Sequence, residues 1–388
     1  MKLRFLIIWL LLPLFAGAQL LGGRQSYAFL ELPPSPQITA LGGLNVAILG
    51  SDVSTALLNP ALLRPEMGGQ LQVNMAGYNG GIKYMHTAFG AYAPGIGTSF
   101  AASLQYVGYG TIPHTDVTGN VMGSFRPVDF SFQLTASRRY LEKWHYGLTL
   151  KYIRSKYFDY GSTGIAADVG ITFSDSARGW QAGLVVTNMG TQFSKYAPGE
   201  NATLPFDLQI GISKRLAHVP IQLSATIHHL HQFDIRYEGP DLRDELQIEN
   251  GDTLRTGGRG IDNLFRHFVL AGQWNIGKYI ELTGAYNHLR RQELSLPERR
   301  GMSGFSMGVG LVVKKFQLRY ARSWYQRSIG FHHIGASIPL QQWAGIGIFE
   351  KERTVKPNPR KHTHAHATSY RHTEPAQKFR EQTGVERH

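Results

Sequence analysis

The chain has 388 residues with 40 Lys and Arg against 27 Asp and Glu, a formal charge of +13, and only 17% charged side chains. It carries 44 Gly, 20 Phe and 18 Tyr but no cysteine, which excludes a disulfide scaffold and lipid attachment through an N-terminal cysteine. The mean hydropathy of -0.21 suits strands that show one face to lipid and the other to a polar lumen.

Residues 1–18 read as a removable secretory leader. Lys2 and Arg4 form a basic start, Phe5 to Phe15 an apolar run, and Ala16-Gly17-Ala18 a small-x-small cleavage site. The apolar run is shorter than the ~20 residues a membrane helix needs, and no later stretch approaches that length. Any membrane crossing therefore falls to strands, and fold reasoning begins at Gln19.

Residues 19–69 do not alternate. Leu41-Gly42-Gly43-Leu44-Asn45-Val46-Ala47 precedes Asp52 to Leu63, in which Asn59-Pro60-Ala61 can open a short helical turn. Asn caps exposed backbone N–H groups, and Pro presets the first helical dihedral. An ordinary surface turn would look the same, but the position just before the first strand favours a hatch inside a ring of strands.

From 70 to 340 the chain contains fourteen short segments of alternating apolar and polar residues. Val128, Phe130, Phe132, Leu134 and Ala136 alternate with Asp129, Ser131, Gln133, Thr135 and Ser137, a period of two. Phe100 to Tyr106, Ile165 to Phe173, Phe206 to Ile212, Ile221 to Ile227, Ile280 to Tyr286 and Phe305 to Leu311 repeat it. Brief turns such as Pro94-Gly95, Ala217-His218 and Lys314-Lys315 join strand pairs two-three to twelve-thirteen. The long gaps, near Thr111 to Arg126, Gly190 to Pro205, Tyr237 to Asn263 and Leu289 to Arg300, fall between those pairs. Short turns on one rim and long loops on the other predict an all-β fold, a transmembrane antiparallel β-barrel of 14 strands with its short rim and both chain ends in the periplasm.

The hatch residues carry a family resemblance. Leu41-Gly42-Gly43 followed by Asn59-Pro60-Ala61 resembles the N-terminal hatch of the FadL-like outer-membrane barrels, which have fourteen strands. Gly22-Gly23, Tyr27, Phe29-Leu30, Leu32, the Leu41-Gly42-Gly43 step and the Asn59 to Leu63 block are similar to the PorV/PorQ group of the type IX secretion system of Bacteroidetes, over roughly residues 22–340. That resemblance implies a surface attachment complex in the cell outer membrane. Its barrel subunit docks a PorZ-like surface protein alongside PorU and PorV-like components, to join secreted cargo to anionic lipopolysaccharide. A passive channel for hydrophobic small molecules, also found among FadL-like barrels, is the alternative.

Other features point elsewhere or nowhere. Residues 341–388 form a polar, basic, proline-bearing tail with nine basic and five acidic residues from Glu350 onward, read as a disordered periplasmic extension. His362, His364 and His366 alternate along it without a scaffold to hold a metal. Glu238, Asp241, Asp244, Glu245, Glu249 and Asp252 crowd one loop, but their spacing does not match the regular calcium loop. Arg290, Arg291, Arg299 and Arg300 bracket another long loop, where guanidinium groups could hold lipopolysaccharide phosphates bidentately. No G-x-S-x-G or H-E-x-x-H motif occurs, and His228, His229 and His231 read as polar rim residues, so no catalytic residue, cofactor or metal is expected.

Overall fold

The computed structural model describes residues 25–347 except 198, 200–201, 236–258, 295–300, 314–315 and 326–329. The leader, the tail beyond 347, the acidic loop Glu238 to Asp252, Arg299, Arg300 and the Lys314-Lys315 turn lie outside the described residues.

The strands are β1 (Gln70–Gly77), β2 (Lys83–Ala93), β3 (Thr98–Gly108), β4 (Ile112–Thr115), β5 (Val121–Phe125), β6 (Val128–Tyr140), β7 (Trp144–Tyr157), β8 (Tyr160–Asp175), β9 (Trp180–Ser194), β10 (Asp207–Arg215), β11 (Ile221–Ile227), β12 (Phe268–Ile276), β13 (Ile280–Asn287), β14 (Phe305–Val313), β15 (Phe316–Trp324) and β16 (Gly330–Pro339). All but β4 and β5 form one closed antiparallel barrel of fourteen strands, shut by the pairing of β1 with β16 from Gln70 opposite Pro339 to Gly77 opposite His332. Closure leaves no strand edge without a hydrogen-bonding neighbour, which is what a backbone surrounded by hydrocarbon requires.

The alternation in sequence becomes two unlike surfaces. Leu134 pairs with Leu150 and both face outward, 52% and 56% exposed, while the neighbouring pair Thr135 and Thr149 faces inward and shares a hydroxyl hydrogen bond of 2.8 Å. Outside, Tyr140, Trp144, Trp180, Trp274 and Tyr279 are exposed near one rim and Tyr106, Tyr152, Phe305 and Tyr320 towards the other, with aliphatic residues such as Val169, Leu184 and Ile210 between them. Amphipathic rings at two levels with an aliphatic zone between them match the layered solvent of a bilayer. The chain crosses a membrane with its strands; among the described residues no helix is long and apolar enough to do so.

Connections of two to five residues join the strands at one rim, and the longer segments 109–127, 195–206, 228–267 and 288–304 leave from the other. The two-residue turn at 158–159 and the five-residue connections 78–82 and 325–329 are short exceptions on the long-loop side. The loop 109–127 is more ordered than its sequence suggests. It contains the hairpin β4–β5, whose turn is held by Asp116 accepting from the N–H of Thr118 and the N–H of Asn120, both at 2.9 Å. Helix α1 (Pro36–Ala40) lies in the N-terminal segment, α2 (Arg259–Arg266) and α3 (His288–Leu294) in the long loops, and α4 (Leu340–Ala344) follows the last strand.

The N-terminal segment fills the barrel. Ile38, Val46, Val53, Ala56, Ala61 and Leu62 are completely buried, each large side chain among them contributing roughly 1.5–3 kcal/mol of hydrophobic stabilisation. Two apolar clusters anchor it. Tyr27, Phe29 and Leu30 pack with Tyr84, Val107, Ile153 and Phe331 towards the long-loop rim, and Val53, Ala56, Leu63 and Met67 pack with Ala88 and Ala101 towards the short-turn rim. Ser26 donates its N–H to Thr203 O at 2.9 Å, so the first described residues stand at the long-loop rim. That is the opposite end from the one expected for the N-terminal side. The C-terminal strand ends at the short-turn rim, where Gln341 donates to Gly69 O at 3.3 Å.

The hatch meets wall backbone where the wall has no side chain. A methyl group added at Gly147 would lie 2.5 Å from Pro60 C, one at Gly308 2.6 Å from Ala40 Cβ, and one at Gly335 2.8 Å from Pro36 Cδ. At Gly90, Gly170 and Gly183 it would strike Met67 O, Asn59 Oδ1 and Val46 O. Replacing Gly170 or Gly147 with Leu should therefore unseat the hatch, at a cost of about 1–3 kcal/mol or more. The expected result is a barrel that still shows heat-modifiable migration but whose residues 25–69 become open to protease, whereas Gly77→Ala, which meets nothing within 4 Å, leaves them protected.

Candidate functional site

The lumen and its long-loop mouth hold the candidate site, and the hatch builds it from short turns. Helix α1 stops at two glycines: Gly43 donates its N–H to Ile38 O at 2.9 Å and Gly42 to Thr39 O at 3.1 Å, with both residues at positive φ, 96° and 87°. This paired closure satisfies the last carbonyls of the helix and requires residues that tolerate the left-handed region. Gly42 is also needed for space, because a methyl there would lie 2.6 Å from Val269 Cγ1.

Asn59 is fully buried and works in two directions. Its Oδ1 accepts from the Ala61 N–H at 3.0 Å, capping the turn Pro60–Leu62, and its Nδ2 donates to Val46 O at 2.9 Å, tying two hatch segments together. Ala61 O in turn accepts from Thr172 Oγ1 of β8 at 3.1 Å. Gln70 of β1 accepts from Val53 N–H at 2.9 Å and donates to Ser51 O at 2.7 Å, Asn74 donates to Ser54 Oγ at 3.0 Å, and Thr39 Oγ1 bonds His333 Nδ1 at 2.8 Å. Within the lumen these residues form two separate parts of the hatch: Gly42 and Gly43 lie against Val269 of β12 and Arg290, and Asn59, Pro60 and Ala61 against Gly147 of β7 and Gly170 of β8.

The two arginines inside the described residues turn to the protein. Arg290 donates to Gly42 O at 3.3 Å and to Ser323 Oγ at 3.0 Å and lies over the Tyr325 ring, its guanidinium 4.5 Å from the centroid. The expectation of a lipopolysaccharide contact placed it on the outer surface; here it faces inward and holds the hatch. Arg291 donates to the carbonyls of Gly301 and Ser303, at 2.5 and 3.2 Å, and so closes its own loop.

A buried network on the inner wall has no counterpart in the sequence reading. β9 bulges opposite β8 between Ala167 and Val169, and Asn188 adopts φ 57° there. Asp168 Oδ1 accepts from the Asn188 N–H at 2.7 Å, Asp168 Oδ2 pairs with Lys151 Nζ at 2.7 Å, and Lys151 donates to Asn188 Oδ1 at 2.7 Å. Lys151 and Asp168 stand on adjacent strands but not opposite each other, so only the register reveals the pair.

At the long-loop mouth, Asp207, His228, His229, His231 and His267 converge. His229 Nδ1 and His231 Nδ1 each lie 3.9 Å from an Asp207 oxygen. Glu31 of the hatch is exposed, yet desolvation by the surrounding protein, and after it the Asp207 and Glu293 carboxylates, pushes its pKa up to about 7. On the outer surface, a 520 Å³ apolar groove between Trp144, Phe173, Leu184, Ile210 and Phe268 opens over the small residues Ala182 and Ala225, a shape that lipid tails can fill.

No family model matches the chain, and no curated protein does. Among solved structures it is similar to the toluene transporter TbuX of Ralstonia pickettii, at 14% identity and TM-score 0.47 over 80% of this chain and 97% of that one. It is similar also to the monoaromatic hydrocarbon channel TodX in a ΔS2S3 mutant, at 10% and 0.47 over 78% and 97%. A Pseudomonas aeruginosa FadL homologue stands at 10% and 0.43 over 79% and 98%. Identities and scores this low say nothing about ligand or role.

The buried pair supplies a stability test. Lys151→Met strands the Asp168 carboxylate and should destabilise the barrel by about 3–5 kcal/mol, while Lys151→Met with Asp168→Leu should recover most of the loss. Denaturant unfolding in detergent micelles, followed by tryptophan fluorescence, measures both; equal losses in the single and double variants would count against the pair.

Proposed function

We propose that this protein is an outer-membrane docking subunit of the type IX secretion attachment complex, the end of its last strand periplasmic and its long loops outside the cell. In this reading it anchors a PorZ-like surface protein and works beside PorU and PorV-like components in attaching cargo to anionic lipopolysaccharide. The seated hatch carries the reading. Its main chain meets wall glycines on several strands and it is bonded to the wall through Thr172, Gln70, Asn74, His333 and Arg290. A plug held at so many points costs transport a large rearrangement, whereas it gives a scaffold rigidity. The long-loop rim, with the hairpin β4–β5 and the helices α2 and α3, supplies protruding structure for a partner to grip. The hatch residues Gly42, Gly43, Asn59, Pro60 and Ala61 add the resemblance to the PorV/PorQ group.

The docking reading and the channel reading separate experimentally. Deleting residues 238–258, which leaves α2 intact, should abolish co-purification of the PorZ-like surface protein with the barrel while heat-modifiable migration is kept. Proteoliposomes holding the wild-type protein should show no uptake of small hydrophobic molecules above empty vesicles. Uptake that is lost on altering Asn59 but unaffected by the loop deletion would overturn the docking reading in favour of a channel.

A further inference from the structure

The outer mouth gathers two imidazoles and a carboxylate where β11 ends and β10 begins. β11 ends at Ile227, and His228 continues its inward-facing side, 3% exposed. His229 follows with φ 54°, a left-handed conformation uncommon for any residue but glycine. In an extended strand these neighbouring rings would leave on opposite faces of the sheet. The left-handed residue instead swings the second ring beside the first, and their Nδ1 atoms stand 2.5 Å apart. Asp207, the first residue of β10, faces them, and one ligand atom each from Asp207, His228 and His229 lies within 4.8 Å of the others.

We propose that Asp207, His228 and His229 bind a divalent transition-metal cation of the zinc class at the outer mouth of the barrel. Two imidazole lone pairs repel at such a separation unless a proton or a metal lies between them. Zinc takes nitrogen and carboxylate donors at about 2.0–2.2 Å, which sets neighbouring ligand atoms about 3.3 Å apart. The two rings need only part by less than about an ångström, and the carboxylate close by a similar amount, to meet that geometry.

The surroundings hold the Asp207 carboxylate and the His228 backbone in place. The His229 N–H donates to Asp207 Oδ1 at 2.6 Å, and Gln209 Nε2 donates to Asp207 Oδ2 at 2.8 Å. His267 sits between the carbonyls of His228 and Phe233, its nitrogens 2.6 and 3.0 Å away, and accepts the His228 N–H at its own carbonyl at 3.0 Å. His228 Nε2 is buried and has no hydrogen-bond partner among the described residues, so Nδ1 is that ring's one polar anchor. Held by Asp207 and the two imidazoles, the ion would pin the start of the 228–267 loop to β10. The site stands on this geometry whether or not the docking reading holds.

Full-length protein in detergent, stripped of metal by chelator and titrated with Co2+ as the spectroscopic probe, tests the site. The tail histidines are a competing location, so His362→Gln/His364→Gln/His366→Gln is run in parallel. The wild type and the tail variant should each develop the intense visible bands of tetrahedral Co2+ at one equivalent, bleached by Zn2+. His228→Gln/His229→Gln should lose them, with affinity down about 100-fold or more, and Asp207→Asn should weaken binding by about 10–100-fold. Heat-modifiable migration confirms that each variant folds, and Asp207→Asn decides if the double variant does not. Absence of tetrahedral bands in the wild type, or bands that follow the tail histidines and ignore Asp207, would overturn the proposal.

Discussion

Hydrocarbon offers no hydrogen bond to a backbone amide, and that lack governs this structure. Every strand that faces lipid must find its partners in neighbouring strands, so the sheet must close, and here β1 closes on β16. Closure creates a second surface with the opposite requirement. The inward residues, Gln72, Gln105, Gln133, Thr149 and His333 among them, are polar and would hold a column of water if nothing else filled the ring.

The N-terminal segment takes that space with main chain as much as with side chain. Its close approach at Gly147, Gly170 and Gly308 removes room for even a methyl group, and its buried carbonyls and amides are met by Asn59, Gln70, Thr172 and Arg290. Burying so many polar groups is favourable only when each is paired, since a stranded one costs about 1–3 kcal/mol. The same rule explains the Lys151–Asp168–Asn188 network, where a bulge that breaks the ladder is repaired by charged and amide side chains. A wall and plug tied in this way favour rigidity at the base and leave variation to the long loops above.

What was legible in the sequence follows from contrast between solvents. Val128 to Ser137 alternates because lipid and lumen demand different side chains, so its strand can be read without knowing its neighbours. The fourteen-strand closed barrel and the sorting of short and long connections were legible for the same reason. The hairpin β4–β5 was missed because both of its faces are largely exposed and no alternation is imposed. Its turn residues, Asp116 to Asn120, were the available signal. Gly42-Gly43 stood out as part of a resemblance, while its physical reason, a helix stop pressed against Val269, needed the structure. Arg290 was expected on the outer surface because its loop is long and basic, yet cation–π contact and the Gly42 carbonyl draw it inward. The convergence of His228 and His229 depends on one left-handed dihedral, and no spacing rule announces that.

The central claim is that lipid surrounds the ring while protein fills it. The chain has no cysteine, so a single introduced one carries a fluorophore to one known position. Quenching by nitroxide groups on lipid acyl chains should be strong for labels at Leu134, Leu150 and Ile334, and weak for labels at the adjacent inward positions Gln133, Thr149 and His333. Equal quenching at neighbouring positions, or none at any of the six, would contradict the account.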